Sequence, residues 1–181
     1  TAQKRAEEAL RESEQKYRLL TEGMKDVVWT LDVATQRFLY VSPSVEKLRG
    51  YTPEKILAQP FAEALVPEQR QELAGRLGQS IAEFQQGLLS ADTYFALEIL
   101  QPCKDGSRIP SEVVCHLVRN EQTGRIELHG VTRDISDRKR MEETLRESES
   151  RFAQSAKASH AYVWEVDAYG VYTFISPVVQ E

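Results

Sequence analysis

The spacing of apolar positions changes along the chain from a helical period to a strand period and back. Apolar or small residues recur at alternating spacings of four and three in two places: Ala6, Leu10, Ser13, Tyr17 and Leu20, and then Met141, Leu145, Ser148 and Phe152. A narrow apolar seam with charged residues at the other positions is typical of a coiled coil. We expect Leu10, Tyr17, Met141, Leu145 and Phe152 to form a dimer seam. A single amphipathic helix packed on its own domain is the alternative.

Short β-prone runs lie between the two seams. Residues 27–31 and 37–42 are rich in β-branched and aromatic side chains, and the polar segment 34–36 between them indicates a hairpin. Three further strands are predicted at 93–101, 108–119 and 125–135, because turn residues separate them at 104–106 and 122–124.

Proline and glycine divide the segment between the second and third strands into helices. A helix is predicted from Pro43 to Leu48, Thr52 can cap a turn that opens with Pro53, and Pro67 can start a longer helix. The apolar stripe of that longer helix must face a core: Leu73, Leu77, Ile81 and Phe84. Two strands, helices and three strands together predict an antiparallel α+β domain of about 110 residues.

An internal repeat sets the domain organisation. Residues 4–14 recur as residues 139–149, an offset of 139 − 4 = 135, and Val28-Trp29 and Asp32 recur as Val163-Trp164 and Asp167. We therefore expect a linker helix at 1–20, a complete domain at 21–136, a second linker helix at 137–152, and the truncated start of a second domain at 153–181. The chain begins with Thr1 rather than Met, and we expect it to be a fragment of a longer protein.

Composition and charge exclude several classes of protein. The chain has 181 residues and 41% hydrophobic side chains, which is a globular balance, and its net charge of −5 disfavours nucleic acid as a partner. No apolar run is long enough to cross a membrane. Cys103 and Cys115 give no disulfide framework, so we expect a reducing, cytoplasmic location, while the parent protein can still be membrane-anchored.

No catalytic or metal-binding arrangement is present in the sequence. His116, His129 and His160 lack the partners at helical spacing that a metal site needs, and no phosphate-binding glycine loop occurs. We therefore expect no enzyme activity from this chain and no metal. Alternation along the strand at 108–119 predicts an outward, exposed His116, and we interpret Cys103 as a turn thiol and Cys115 as a small core residue.

Four segments match a known family: YVSP at 40–43, LRGYTPEKIL at 48–57, KDGS at 104–107 and GVTRDISDRK at 130–139. Over residues 17–140 the sequence resembles a PAS domain with its C-terminal PAC motif. The resemblance implies a five-stranded antiparallel sheet with short helices on one face around a small cavity. It also implies a sensory role in bacterial signalling proteins that carry such domains in tandem.

Strand alternation and the family register together predict the cavity wall. The candidate ligand-binding residues are Trp29, Ser42, Phe61, Phe95, Leu97, Ile99, Gln101, Ser111, Val113, Cys115, Leu117, Leu128 and Thr132. A wall of this composition suits a small, mostly apolar ligand that a few polar groups hold. A filled core without a ligand is the alternative.

Cofactors known from the family are disfavoured by particular residues. Phe61 stands where light-oxygen-voltage relatives have a reactive cysteine, and Thr132 and Ser42 stand where flavin-binding relatives have a carboxamide and an asparagine. Haem-binding relatives need a histidine on the long helix, and residues 67–90 contain none. The sequence therefore leaves the cofactor unknown: flavin is disfavoured, haem is not expected, and a domain without a cofactor is one of the alternatives.

The family also implies a junction that passes a signal to the following helix. Asp134, Ile135 and Ser136 resemble that junction, where a side chain can accept from free N–H groups at the helix start, and Arg138 can pair with Asp134. We expect a sensory module that acts as a homodimer through its linker helices and controls an output domain outside this chain, a histidine kinase or a diguanylate cyclase. The alternative is a ligand-free module for dimerisation and spacing.

Overall fold

Five antiparallel strands and several short helices make up the main domain. The computed structural model describes residues 25–158 and 164–175. Its first unit, which ends at Ser136, contains β1 Val27–Asp32, β2 Arg37–Val41, α1 Ser44–Arg49, α2 Pro53–Ala58, a 3₁₀ helix Phe61–Ala64, α3 Pro67–Gln85, β3 Tyr94–Pro102, β4 Arg108–Arg119 and β5 Ile126–Asp134. The predicted α+β class, with a five-stranded antiparallel sheet and short helices, is confirmed, whereas the predicted linker helix at 1–20 lies outside the described residues.

The strand order in the sheet is β2-β1-β5-β4-β3. The last strand, β5, therefore lies in the centre and pairs with the first, with Trp29 opposite Gly130 and Leu31 opposite Leu128. All helices between β2 and β3 belong to one crossover. This crossover covers the face of the sheet that holds the buried side chains.

Strand alternation decides which side chains enter the core. Along β4 the buried residues Val113, Cys115 and Leu117 alternate with Glu112, Val114 and His116, which are more accessible. Successive side chains of a strand point to opposite faces, so the first three face the helices. The predicted inward set of β4 is confirmed.

The helices follow the predicted start and stop signals with one exception. Pro67 occupies the first turn of α3, and Gly50 ends α1 with a left-handed φ of 77° that glycine adopts without steric cost. The predicted stripe of α3 packs on the core: Leu73, Leu77, Ile81 and Phe84. Thr52 precedes α2, but its side chain makes no capping hydrogen bond to that helix.

The turn between β1 and β2 is held by a buried carboxylate. Asp32 is 1% exposed, and its Oδ1 accepts from the N–H groups of Ala34 at 2.8 Å and Thr35 at 3.3 Å. Its Oδ2 accepts from Arg125 at 3.0 Å. Burial alone would raise the pKa of Asp32, but these hydrogen bonds and the arginine charge hold it below the usual value.

The second unit, Asp137–Glu181, contains most of helix α4 Ser136–Ala158 and the hairpin β6 Trp164–Val166 and β7 Tyr172–Ile175. The hairpin lies where the repeat predicts one, and Asp167, the counterpart of Asp32, likewise accepts from turn N–H groups. The predicted seam residues Leu10 and Tyr17 lie outside the described residues. The domain boundaries stay a prediction.

Candidate functional site

A cavity of about 310 Å³ lies between the sheet and the helices of the main domain. Its wall is mostly apolar and comes from every strand and helix of that domain. The predicted residues that line it are Trp29, Phe61, Phe95, Leu97, Ile99, Gln101, Val113, Cys115, Leu117, Leu128 and Thr132. The cavity size is at the lower end of the range of about 300–1,000 Å³ that small-molecule sites occupy.

Two predicted wall residues do not line the cavity. Ser42 is fully buried, but its hydroxyl accepts from the N–H group of Val28 at 2.9 Å and lies 2.7 Å from the hydroxyl of Ser44. Ser111 is also fully buried, and its hydroxyl donates to the Gln101 side-chain oxygen at 3.4 Å. Both hydroxyl groups have protein partners, as most buried hydroxyl groups do, and the cavity wall does not include them.

The Trp29 indole forms one side of the cavity and is fixed at both ends. Its Nε1 donates to the Thr132 hydroxyl at 2.9 Å. The ring lies over Gly130, where an added Cβ would be only 2.2 Å from the Trp29 Cζ2 atom. Glycine at position 130 therefore leaves the space that the indole occupies.

Aromatic contact continues from Trp29 to two phenylalanines. The Phe38 ring meets Trp29 and Phe61 edge-on, with ring centroids 5.9 Å apart in both pairs. Phe38 lines the cavity although the sequence pattern did not place it there. The register shifts between Thr30 and Leu31, so that Phe38 faces inward and Leu39 is 50% exposed. Simple alternation cannot show such a shift.

Arg49 is a second wall residue that the sequence pattern did not identify. It is the last residue of α1 and only 4% exposed. Its Nε donates to the Pro102 carbonyl at 2.9 Å and its Nη2 to the Glu63 carbonyl at 3.3 Å. Burial holds the pKa of this guanidinium below its usual value. Charged residues are expected at the surface, so composition gave no signal for it.

Polar side chains of α3 border the opening of the cavity. Arg76, Gln79, Ser80 and Glu83 line it, and the Gln79 amide donates to the Glu83 carboxylate at 2.9 Å. Arg76 is exposed and lies 3.9 Å from Glu72. Arg76 and Gln79 are exposed and Ser80 and Glu83 are half-buried, whereas Arg49 is buried.

The cysteines and histidines of the domain have different environments. Burial raises the pKa of the Cys115 thiol to about 11, so this wall residue is a neutral, unreactive thiol at neutral pH.

His116 does not line the cavity. It is half-buried rather than exposed as expected, because its Nδ1 lies 2.8 Å from the Ala91 carbonyl oxygen and its ring stacks on Tyr94. Within residues 25–158 and 164–175, no three His, Cys, Asp or Glu side chains are grouped for metal binding.

The predicted junction lies at the end of β5. Asp134 Oδ1 accepts from the Ser136 N–H group at 2.7 Å, which satisfies a free donor at the first residue of α4. Ile135 is buried, and its N–H group donates to the Pro110 carbonyl at 3.1 Å. Farther along α4, Arg138 forms an ion pair with Glu142 at 3.6 Å.

Comparisons with known proteins agree with this geometry. The PAS fold family matches residues 15–135. A curated relative from Sinorhizobium fredii, the uncharacterized protein y4lL, is 30% identical over 88% of this chain and 18% of its own length. The methyl sulfide methyltransferase-associated sensor of Methanosarcina acetivorans is 28% identical over 84% of this chain and 14% of its own length. This chain therefore spans less than a fifth of either relative.

A solved structure shares the fold. The PAS domain of an HTR-like protein from Haloarcula marismortui superimposes with a TM-score of 0.56, with 23% identity, over 73% of this chain and 99% of that one. The helices in the described residues do not have the length and apolarity that a membrane crossing requires. The sheet order, the cavity and the family match lead to one conclusion: the chain belongs to the PAS family and contains a PAS sensor domain.

Proposed function

We propose that the main domain senses a small, mostly apolar ligand in its cavity and passes the signal to helix α4. The observation that carries this proposal is the shared strand β5: Thr132 lines the cavity, and Asp134, two residues later, accepts from the first N–H group of α4. A shift of β5 at the cavity wall can therefore reach the helix start through two residues of extended backbone.

A second route supports the same coupling. Asp134 is paired in register with Ser111, whose hydroxyl donates to the Gln101 side chain in the cavity wall. A ligand that moves Gln101 therefore acts on the residue beside Asp134. A helix N-terminal hydrogen bond of this kind is worth about 1 kcal/mol, which is enough to change the population of two helix arrangements severalfold.

We propose that the output domain lies in a part of the parent protein outside this chain. The relative from Methanosarcina acetivorans is a sensor, and this chain spans only a small share of it. We propose a parent protein in which a histidine kinase or diguanylate cyclase domain responds to the arrangement of α4. A cytoplasmic location belongs to the same proposal.

The test uses the parent protein and the molecule that copurifies with it, identified by native mass spectrometry after extraction. Asp134→Ala should change the output activity and weaken its response to that molecule. Asp137→Ala is the matched control, because it removes an exposed carboxylate from the same helix turn that pairs with Arg140. Output and ligand response that stay unchanged in Asp134→Ala would overturn the coupling.

A ligand-free module for dimerisation and spacing is the second candidate. It is favoured by the exposed apolar positions of α4: Met141, Leu145 and Phe152 are 72%, 61% and 59% exposed in the single chain. We propose that these positions hold a homodimer in either case. A domain that copurifies with no small molecule and gives the same output when its cavity is filled by larger side chains would support the spacer.

A further inference from the structure

The Arg49 guanidinium is a buried cation whose hydrogen-bond acceptors are neutral. Its Nε and Nη2 donate to the carbonyls of Pro102 and Glu63, and the guanidinium lies 5.5 Å from the centre of the Tyr51 ring. The Glu63 carboxylate lies 3.7 Å from Arg70 instead. Within residues 25–158 and 164–175, no carboxylate forms an ion pair with Arg49.

One nitrogen of this guanidinium has no protein partner among the described residues. In the described part of the chain Nη1 has no acceptor, and every side-chain nitrogen or oxygen that is fully sealed there has a hydrogen-bond partner. Nη1 therefore keeps accessible surface, and Arg49 lines the cavity. A buried charge without a counter-ion costs free energy, and an arginine does not lose its proton at neutral pH. An anion in the cavity would offset this cost.

A second donor lines the same cavity. Gln101 is 8% exposed, and its side-chain oxygen is already used by Ser111. Its Nε2 has no acceptor among the described residues. Because Arg49 donates to the carbonyl of Pro102, the next residue in β3, the guanidinium and the amide lie at the same end of the cavity. Arginine with a neighbouring N–H donor is the arrangement that carboxylates prefer.

We propose that the cavity binds a small monocarboxylate with an apolar, ring-sized body. The carboxylate would accept from Arg49 and Gln101, and the body would lie against Trp29, Phe38 and Phe61. This inference rests on the proposed ligand-binding function and names the class of its ligand. The opposite charges of Arg76 and Glu83 at the opening give no comparable preference for an anion.

The test compares two probes of the same shape, 3-phenylpropanoate and its neutral amide, 3-phenylpropanamide. Calorimetric titration of the purified chain should show the acid binding more tightly than the amide by at least about tenfold. Arg49→Gln should reduce this ratio to about one. The matched control is Arg76→Gln, which removes an exposed cation from the same cavity and should change the ratio by less than about twofold.

Arg49 also holds two carbonyl groups, so the fold of its variant must be checked by circular dichroism and thermal unfolding. Gln101→Met removes the amide donor, together with the oxygen that accepts from Ser111. It should weaken binding of 3-phenylpropanoate and leave binding of 3-phenylpropanamide nearly unchanged, and it keeps the test decisive if Arg49→Gln unfolds. Equal binding of acid and amide by the unaltered chain would overturn the carboxylate preference but leave ligand sensing intact. Binding of neither probe at millimolar concentration would also overturn it, and native mass spectrometry would then decide the sensing function separately.

Discussion

Gly130 shows how a single residue without a side chain shapes the cavity wall. Gly130→Ala should lower the free energy of unfolding by about 1–3 kcal/mol, because the new methyl group would meet the Trp29 ring at 2.2 Å. The ring must then move away and lose its hydrogen bond to Thr132. Urea denaturation followed by circular dichroism measures the change.

The control for this substitution is another glycine of the same domain. Gly78 lies in α3, and a Cβ added there would have no neighbouring atom within 4 Å outside its own helix backbone. Gly78→Ala should therefore raise stability by up to about 1 kcal/mol, since alanine loses less backbone entropy in a helix. Equal stability of Gly130→Ala and the unaltered chain would show that the indole is not held in this position.

Single residues of the cavity wall could be predicted where side chains alternate regularly along a strand. Alternation assigned Val113, Cys115 and Leu117 to the wall because each strand residue points opposite to its neighbours. The same rule does not extend to Phe38, because a shift in register between Thr30 and Leu31 changes which residues of β2 face inward. Arg49 could not be found in this way, because its inward position depends on two carbonyl groups from distant parts of the chain.

At the scale of elements, the strands and the long helices follow from local signals, but their arrangement does not. Prolines, glycines and apolar periods mark the ends of β4 and α3 without any tertiary information. The 3₁₀ helix Phe61–Ala64 was not predicted, because four residues are too short for a period. It is placed by a bridge between Pro60 and Arg37 and by the Phe61 N–H donated to the Gln36 carbonyl.

Two turn aspartates, one buried and one exposed, show how burial changes the contribution of a turn carboxylate to stability. Asp32 between β1 and β2 is buried, whereas Asp105 between β3 and β4 is exposed and accepts from the Ser107 N–H and hydroxyl groups. Asp32→Ala should lower the free energy of unfolding by about 1–3 kcal/mol, because it removes the hydrogen bonds from Ala34, Thr35 and Arg125 to a buried carboxylate. Asp105→Ala should have a much smaller effect, since water replaces its carboxylate. Urea denaturation of both variants measures the difference.

The same pair gives a dependence on pH. The pKa of Asp32 is lower in the folded domain than in the unfolded chain, so its contribution is complete above the unfolded value and decreases as the pH falls. The stability difference between the unaltered chain and Asp32→Ala should therefore shrink on acidification below about pH 4. A difference that is constant between about pH 7 and pH 3 would contradict the role given to this carboxylate.

At the scale of the whole molecule, the internal sequence repeat predicts where the second hairpin lies. The described hairpin at 164–175 lies at the offset that relates the two charged segments, and Asp167, like Asp32, accepts from the N–H group two residues later. Sequence similarity within one chain can show such a repeat, whereas the boundaries of the second unit stay a prediction. Self-association cannot be read in the same way, because two heptads of apolar residues suit both a dimer and a single helix.

Sedimentation analysis of the purified chain separates these two interpretations of α4. If Met141, Leu145 and Phe152 form a seam between two copies, Leu145→Gln should shift the equilibrium toward monomer by at least about tenfold, because a buried leucine at such a position contributes roughly 1.5–3 kcal/mol. The matched control is Glu147→Gln, two residues along the helix and about 200° around it, which should leave association nearly unchanged. An unaltered chain that stays monomeric at high concentration, or a dimer that Leu145→Gln leaves intact, would assign these exposed side chains to something other than a dimer seam. The helix would then transmit a signal within one chain, and the parent protein would need another surface to bring two copies together.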